Sequence, residues 1–308
     1  MSILDEKFTR KDTLKMMGGV LAATLLPVPL HAAEPNPVDD TISAFLQAHF
    51  MELSDSEKKK VVARLKRQYK RQYKKDFEIS TKGPIPGVKF SYFLDVSRCV
   101  GCRRCVEACV KENNCSRGHN SPIQYIRVLK FKKGEPFSLE EGDHFYDDAL
   151  VPDEKAFYMP IQCQQCDDSP CTKACPTKAT WKEKDGVVVV DYNWCIGCRY
   201  CMQACPYQAR RFNWSSPKLP AEEINTNTHY LGNRPRPVGV VEKCHFCLQR
   251  TREGQYPACH DACPTGVRKF GNILDKESEV RYIFDHYRIF RLKEELNTKP
   301  NFYYYTSR

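Results

Sequence analysis

Cysteine spacing constrains this chain more than any other feature of its sequence. Sixteen of its seventeen cysteines fall into four groups of four, and every group ends with two cysteines separated by three residues. Motifs one and three share the spacing C-x2-C-x2-C-x3-C, whereas motif two widens the second gap to four residues and motif four to eleven. The motifs are Cys99, Cys102, Cys105 and Cys109 (motif one); Cys163, Cys166, Cys171 and Cys175 (motif two); Cys195, Cys198, Cys201 and Cys205 (motif three); and Cys244, Cys247, Cys259 and Cys263 (motif four).

This spacing suits the chemistry of a cubane iron–sulfur cluster. The run C-x2-C-x2-C-x3-C is that of bacterial ferredoxins, in which three thiolates on a tight loop hold one cluster and the fourth ligates its neighbour. Proline follows the last cysteine in three motifs (Pro176, Pro206 and Pro264) and turns the chain between sites, whereas motif one has Val110 there. Four such motifs predict several iron–sulfur clusters.

Two other uses of cysteine fit the spacing less well. Structural zinc takes four ligands in pairs, so the third closely spaced thiolate of the runs in motifs one and three would have no role. Disulfides between residues three apart on one loop would be strained. A zinc-binding interaction module is thus an alternative that iron analysis would exclude. Cys115, the seventeenth cysteine, is predicted to be a buried or idle thiol rather than a ligand.

The sequence divides into four predicted regions. Residues 1–33 resemble a twin-arginine export signal or an uncleaved anchor, with Lys11 where a second arginine is expected. They predict a location on the periplasmic side of the cytoplasmic membrane. Residues 34–88 form a linker and a basic amphipathic helix, residues 89–271 carry the four motifs, and residues 272–308 add a C-terminal helix and an aromatic tail.

Positive charge is concentrated in one segment. The net charge is +10, and the segment from Glu57 to Lys75 accounts for +9 because it holds ten Lys or Arg and one acid. Ser54 and Glu57 have the spacing of a helix-capping box. An apolar stripe runs along the segment at Val61, Leu65, Tyr69 and Tyr73. The segment is predicted to be a helix that packs on the body through this stripe or docks onto a partner or anionic lipid. Nothing else in the chain favours nucleic-acid binding.

Local patterns predict further elements. Ala179–Trp181 and Val187–Val190 flank an Asp185-Gly186 turn, which indicates a β-hairpin. Three other predicted segments are a strand over Gln124–Phe131, a helix over Glu277–Lys293 and an aromatic tail over Asn301–Tyr305 that packs on the body. Five arginines beside the motifs are expected to raise cluster potentials or to form surface salt bridges: Arg103, Arg104, Arg199, Arg210 and Arg211. No Ser/His/Asp set, phosphate loop or Rossmann signature is present, so no catalytic residue is predicted.

Four stretches around the motifs are more specific than cysteine spacing alone. They are Cys99-Val-Gly-Cys-Arg-Arg-Cys105, Gln162-Cys-Gln-Gln-Cys166, Asp191-Tyr-Asn-Trp-Cys-Ile-Gly-Cys-Arg-Tyr-Cys201 and Gly239-Val-Val-Glu-Lys-Cys-His-Phe-Cys247. In this order they resemble the four-cluster subunit of the complex iron–sulfur molybdoenzyme family. That family includes the electron-transfer subunits of dimethyl sulfoxide, polysulfide and tetrathionate reductases. The resemblance covers the chain from about residue 90 to its C-terminus.

The resemblance implies how the cysteines are shared. Motif one pairs with motif four and motif two with motif three, so each cluster takes three thiolates from one motif and the last from the other. The implied ligand sets are set A (Cys99, Cys102, Cys105, Cys263), set B (Cys109, Cys244, Cys247, Cys259), set C (Cys163, Cys166, Cys171, Cys205) and set D (Cys175, Cys195, Cys198, Cys201). Because motif three keeps its third cysteine, Cys201, all four ligand sets are complete and four 4Fe–4S clusters are expected.

The resemblance also implies a fold and a role. The fold is α+β, with two interleaved bacterial dicluster ferredoxin-like modules and loop insertions, here preceded by the basic amphipathic helix. The role is to relay electrons between a quinone-reactive integral membrane subunit of the polysulfide-reductase type and a molybdopterin catalytic subunit or a multihaem c-type cytochrome. Such a protein binds no small-molecule substrate. A stand-alone soluble polyferredoxin is the main alternative, and a self-sufficient enzyme with an open cluster site is a third hypothesis.

Overall fold

The computed structural model describes residues 50–118, 122–136 and 138–307. The predicted export signal, residues 1–33, and the first part of the linker lie outside these ranges. The chain divides into two units, Met1–Glu52 and Leu53–Arg308, and the second contains all seventeen cysteines. In the described part, no helix is both long and apolar enough to cross a membrane.

The second unit is built from one long helix, several short helices and short strands. The helices are α1 (Asp55–Tyr73), α2 (Arg104–Glu112), α3 (Pro170–Lys173), α4 (Tyr200–Gln203), α5 (Leu248–Thr251), α6 (Ala258–Asp261) and α7 (Glu279–His286). The strands are β1 (Glu78–Ser80), β2 (Phe90–Asp95), β3 (Arg127–Lys132), β4 (Ala156–Ile161), β5 (Thr180–Lys182), β6 (Val188–Val190), β7 (Arg210–Phe212), β8 (Asn227–His229), β9 (Val241–Lys243), β10 (Arg268–Asn272), β11 (Ile289–Phe290) and β12 (Phe302–Tyr305). This mixture of helix and strand agrees with the predicted α+β class.

Antiparallel strand pairs connect the cysteine motifs in a closed series. Strands β3 and β4 join motif one to motif two, β5 and β6 join motif two to motif three, and β7 and β9 join motif three to motif four. The series closes because β10, which leaves motif four, pairs with β2, which enters motif one. Main-chain hydrogen bonds therefore hold each motif between two strand pairs.

The aromatic C-terminal tail is a strand of the largest sheet. Strand β12 lies parallel to β2 and antiparallel to β11, which gives the strand order β10-β2-β12-β11. Ring stacking supports the parallel pair, because the Tyr92 and Phe302 centroids are 5.0 Å apart and those of Phe93 and Tyr303 are 4.6 Å apart. The tail predicted to pack on the body is therefore an inner strand of this sheet.

The helix predicted over Glu277–Lys293 is shorter in the structure. Helix α7 starts after Ser278, whose hydroxyl accepts a hydrogen bond from the Arg281 N–H, and it ends at His286. The next two apolar residues form β11 and pair with β12. The predicted helix was too long at its C-terminal end. A helical pattern of apolar residues does not show which of them face the core within a helix and which pair with a distant strand.

The predicted β-hairpin is confirmed. Strands β5 and β6 pair antiparallel, and Gly186 in the turn has φ 85°, a conformation that favours glycine. The strand predicted over Gln124–Phe131 is present, but it begins later, at Arg127.

Helix α1 carries the basic segment and is attached to the body by its apolar stripe. The Ser54 hydroxyl accepts a hydrogen bond from the Glu57 N–H, and the Glu57 carboxylate accepts one from the Ser54 N–H. Leu65 and Tyr69 are buried, and the Tyr69 hydroxyl donates to the Pro235 carbonyl at 3.0 Å. Most lysines and arginines of the helix are exposed.

Candidate metal centres

Motifs one and three fold into the same kind of loop. In each, the glycine before the second cysteine and the arginine after it are left-handed, with φ 74° at Gly101, 53° at Arg103, 75° at Gly197 and 65° at Arg199. A short helix, α2 or α4, begins directly after the arginine. A Cβ atom on Gly101 would overlap the Tyr158 ring, and one on Gly197 would overlap a backbone oxygen. Glycine is therefore required by both conformation and space.

Motifs two and four reach a similar loop without glycine. Gln165 has φ 48° just before Cys166, and both Phe246 and Cys247 have φ 55°. In motif four the long gap contains helix α5, so that the third cysteine, Cys259, lies on α6. The unusual spacing of motif four is thus an insertion within the loop and leaves the motif intact.

Helix packing brings the motifs together in pairs. Helix α2, which contains Cys109, packs against α6 of motif four, and α3 of motif two packs against α4 of motif three. The last cysteine of motif one lies in its helix, and the last cysteines of the other motifs follow theirs closely. Motifs one and four are consequently neighbours, as are motifs two and three.

The four cysteines of set A line one cavity. Its walls include Cys99, Cys102 and Cys105 from motif one and Cys263 from motif four. Burial raises the pKa of the Cys99 thiol to about 12, and the charges of Cys105 and Cys263 add to the increase. The Thr265 hydroxyl lies 3.6 Å from the Cys263 Sγ. The structure thus brings the predicted members of set A together.

Set B joins one thiol of motif one to three thiols of motif four. Burial raises the pKa of the Cys109 thiol, and the charges of Cys115 and of the three other members of set B add to the increase. The Asn113 side-chain amide donates to both the Cys109 Sγ and the Cys247 Sγ, each at 3.6 Å. All four members of the set are buried.

Set C is assembled in the same crossed way. Burial raises the pKa of the Cys166 thiol to about 12, and the charges of Cys163, Cys171 and Cys205 contribute to the increase. Cys205 comes from motif three, and burial followed by the charge of Cys163 raises the pKa of its thiol. The last thiol of motif three therefore lies among the thiols of motif two.

Set D combines three thiols of motif three with the last thiol of motif two. Burial raises the pKa of the Cys201 thiol to about 11, and the charges of Cys195, Cys171 and Cys175 contribute. Cys175 is the last cysteine of motif two. Cys198, the remaining member, is partly exposed on the motif-three loop.

The sets follow one another in the order A, B, C, D. Burial is the main cause of the raised pKa of three cysteines that couple adjacent sets. In each of them, the charge of a cysteine in the adjacent set also raises the pKa. The coupled pairs are Cys105 with Cys259 (A and B), Cys244 with Cys163 (B and C), and Cys201 with Cys171 (C and D). Sets A and D, at the two ends, each include partly exposed cysteines, and so does set C (Cys205), whereas set B is wholly buried.

Comparison with known proteins places this arrangement in a family. Residues 154–238 and 233–273 match the family described as "4Fe-4S dicluster domain". The chain is 34% identical over 299 residues to a selenate reductase subunit of Mesobacillus selenatarsenatis, covering 94% of this chain and 92% of that protein. It is 34% identical over 245 residues to the iron–sulfur cluster-binding subunit of menaquinone reductase of Nitratidesulfovibrio vulgaris, covering 72% and 90%. It is 32% identical over 222 residues to a tetrathionate reductase subunit of Salmonella typhimurium, covering 71% and 73%.

The chain belongs to this family of iron–sulfur subunits. Its relatives resemble it over most of their own length, and the resemblance inferred from the four stretches is confirmed. The protein is therefore an iron–sulfur electron-transfer subunit that binds several 4Fe–4S clusters.

The buried polar groups of this iron–sulfur protein fit its cofactor. Arg210 is buried, and its Nη2 donates to the Cys171 Sγ and to the Thr180 Oγ1, both at 3.0 Å. Its Nε and Nη1 have no hydrogen-bond partner within the part of the chain that the structure describes. A guanidinium is always charged, and an anionic acceptor offsets the large cost of burying that charge. A thiolate-ligated cluster would supply one.

The cysteines that the structure describes are neither joined to one another nor gathered around a single metal ion. In the described ranges, no three His, Cys, Asp or Glu residues are placed to share one metal ion. A cubane takes its four ligands at four separate iron atoms. None of the seventeen cysteines, all of which are described, forms a disulfide.

The structure adds site residues that the sequence analysis missed. The Arg268 Nη2 donates to the Cys105 Sγ at 3.4 Å, in the same way that the Arg210 Nη2 donates to the Cys171 Sγ. A signal for this role does exist, because C-P-x3-R occurs at the end of motifs three and four. Lys243 and Asn113 carry no such signal, since only the packing of distant loops brings them to the cysteines. Arg210, expected either to raise potentials or to form a surface salt bridge, is buried.

Proposed function

We propose that this protein holds four 4Fe–4S clusters in sets A to D and relays electrons along them in that order. Each cluster, when bound, would accept and release single electrons. The observation that carries the proposal is the position of Cys109, whose thiol lies among those of Cys244, Cys247 and Cys259. If each cluster were bound within a single motif, the last thiol of motif one would be expected to lie with the other thiols of motif one.

The protein's own residues bind the clusters and keep water away from them. The inner set B is lined by four buried cysteines, and aromatic residues of β2 and β12 pack close to it. The Tyr92 hydroxyl, for example, lies 3.3 Å from the Cys259 Sγ. The partly exposed cysteines of sets A and D leave both ends of the row accessible to redox partners.

We further propose that one end meets a quinone-reactive membrane subunit, and that the other meets a molybdopterin catalytic subunit or a multihaem cytochrome. Support comes from relatives named as subunits of menaquinone reductase, selenate reductase and tetrathionate reductase. The signal-like segment at residues 1–33 supports a place on the periplasmic side of the membrane. The position of the basic helix α1 outside the cysteine motifs leaves it free to contribute to docking.

Purification from native membranes, with iron analysis and identification of co-purifying chains, tests the proposal. We expect about sixteen irons per chain, four for each of four clusters, together with a catalytic or cytochrome partner and a membrane subunit. A protein that is recovered alone from the cytoplasm with its iron would contradict the complex and favour a stand-alone polyferredoxin. Recovery with zinc in place of iron would contradict the cofactor.

A further inference from the structure

Three buried cationic side chains lie between successive ligand sets. Arg268 and Lys243 are 1% exposed and Arg210 is 2% exposed. Among the described residues none of the three has a carboxylate within ion-pair distance. Some other buried arginines do have one, such as Arg236, which pairs with Glu242 at 2.5 Å, although the buried Arg234 has none within the described ranges. The three cations therefore differ from ordinary buried ion pairs.

Arg268 occupies the gap between sets A and B. Its Nη2 donates to the Cys105 Sγ of set A at 3.4 Å, and its Nη1 donates to the Gln162 Oε1 at 3.0 Å. The charges of Cys105 and of Cys259 in set B both act on it. The guanidinium is held over the Tyr92 ring at 5.6 Å, which fixes its position.

Arg210 occupies the corresponding gap between sets C and D. The charges that act on it come from Cys171 and Cys163 of set C and from Cys201 of set D. Two of its nitrogens, Nε and Nη1, lack a partner among the described residues and remain available as donors. It follows Cys205 at the same interval at which Arg268 follows Cys263.

Lys243 occupies the central gap, between sets B and C. Its Nζ donates to the carbonyls of Val188 and Cys244, the latter at 2.7 Å, and to the Gln165 Oε1 at 3.5 Å. All three partners are oxygen acceptors, which match in number the three N–H donors of a lysine ammonium group. Cys244 belongs to set B, and Gln165 lies inside the motif-two loop between Cys163 and Cys166 of set C.

Burial of a cation is much less costly when a nearby negative charge compensates for its lost hydration. The groups that face these three cations are cysteine sulfurs, carbonyls, amides and hydroxyls. A 4Fe–4S cluster with four thiolates is an anion, and reduction makes it more negative. Placing one cation in each gap of the row would therefore favour the reduced state of both flanking clusters and weaken the repulsion between neighbours.

We propose that Arg268, Lys243 and Arg210 are fixed counter-charges, one for each gap, that raise the reduction potentials of the two clusters on either side. This inference rests on the proposed ligand sets. It assigns to each cation a different pair of clusters: A and B to Arg268, B and C to Lys243, and C and D to Arg210.

Redox titration followed by EPR of the cluster-loaded protein tests this assignment. In Lys243→Met the clusters of sets B and C should become harder to reduce by about tenfold, which is about 59 mV for one electron, while A and D stay unchanged. Arg210→Gln should shift C and D, and Arg268→Gln should shift A and B. Lys243→Arg keeps the charge and should keep the potentials.

Lys182→Met is the matched control. The Lys182 Nζ also donates to carbonyls of the motif-two loop, those of Gln165 and Cys166, but the Asp167 carboxylate pairs with it at 2.8 Å. Because that pair has little net charge, we expect a much smaller shift than in Lys243→Met.

The outcomes separate this inference from the proposed function. Full iron content with unchanged potentials in all three variants would overturn the counter-charge role and leave the four-cluster relay intact. Equal shifts of all four clusters would also overturn it, because they would indicate general loosening. If Lys243→Met fails to load clusters, the two arginine variants decide the question by the same criteria. A wild-type protein without iron would refute the proposed function itself.

Discussion

His229 illustrates how burial fixes the protonation state of a single side chain. Its Nδ1 accepts a hydrogen bond from the Leu231 N–H at 3.1 Å, and its Nε2 donates to the Lys82 carbonyl at 2.9 Å. One donor and one acceptor match a neutral imidazole. Burial, with the nearby charge of Arg252, lowers the pKa of His229 to about 3.

The lowered pKa of His229 predicts a loss of local stability in mild acid. The exposed side chain has a pKa of about 6.5, so below that pH the opened state binds a proton that the folded state does not. Stability should be unaffected above about pH 6.5 and fall by up to about 1.4 kcal/mol per unit between pH 6.5 and the folded pKa. Hydrogen exchange at the Leu231 amide, corrected for its intrinsic pH dependence, measures this change.

His286 provides the control for that measurement. It is exposed on α7, and His286→Gln should leave the pH dependence at Leu231 unchanged, whereas His229→Gln should flatten it. Protection that stays constant from about pH 6.5 to about pH 5 in the unaltered protein would refute the assignment.

At the residue scale, the sequence predicts that sixteen cysteines are ligands, because their spacing is local and chemically specific. It did not predict Lys243 as a site residue. The Lys243 side chain donates to the carbonyl of Val188, a residue 55 positions away in the chain, and only folding brings the two together. Cys115 was predicted to be a buried thiol, and it is fully buried, with the Arg236 Nη2 donating to its sulfur at 3.6 Å.

At the scale of elements, the motif-three loop is set by its contact with another loop. Gly197 has φ 75°, and a Cβ atom there would overlap the carbonyl oxygen of Gly239. That carbonyl belongs to the turn that leads into β9 and motif four. The close approach of the two backbones therefore holds motif three beside the start of motif four.

Gly197→Ala is expected to weaken this contact and destabilise the protein. The left-handed conformation costs a non-glycine residue about 1–2 kcal/mol, and the overlap adds about 1–3 kcal/mol. Gly254→Ala is the matched control, because Gly254 has φ 78° but nothing within 4 Å of an added Cβ. The rate at which a chelator removes iron should rise much more in Gly197→Ala than in Gly254→Ala. Equal rates in the two variants would mean that the loop contact is unimportant.

Elements with local signals were predicted well, and elements made by distant partners were not. The hairpin of β5 and β6 was predicted because an Asp-Gly turn joins two apolar runs. The end of α7 was placed too late, because pairing with β12 recruits Ile289 and Phe290 into a strand. Nothing in the sequence near Phe302–Tyr305 indicates that this segment lies beside β2.

At the scale of the whole molecule, the four motifs form one closed arrangement. Strand pairs connect them in sequence order, and helix packing crosses motif one with four and motif two with three. Both ends of the row include partly exposed cysteines, as does set C through Cys205, whereas the cysteines of set B are all buried. This layout suits transfer of electrons through the molecule from one partner to another.

The crossing of motifs one and four is tested most directly by Cys109→Ser. Its EPR spectrum should lose or alter the same cluster signal as Cys244→Ser, while the signal affected by Cys99→Ser stays intact. Cys115→Ser, which changes another buried cysteine close to Cys109, is the control and should retain every signal. If Cys109→Ser instead affects the signal that Cys99→Ser affects and spares that of Cys244→Ser, the crossed ligand sets are wrong.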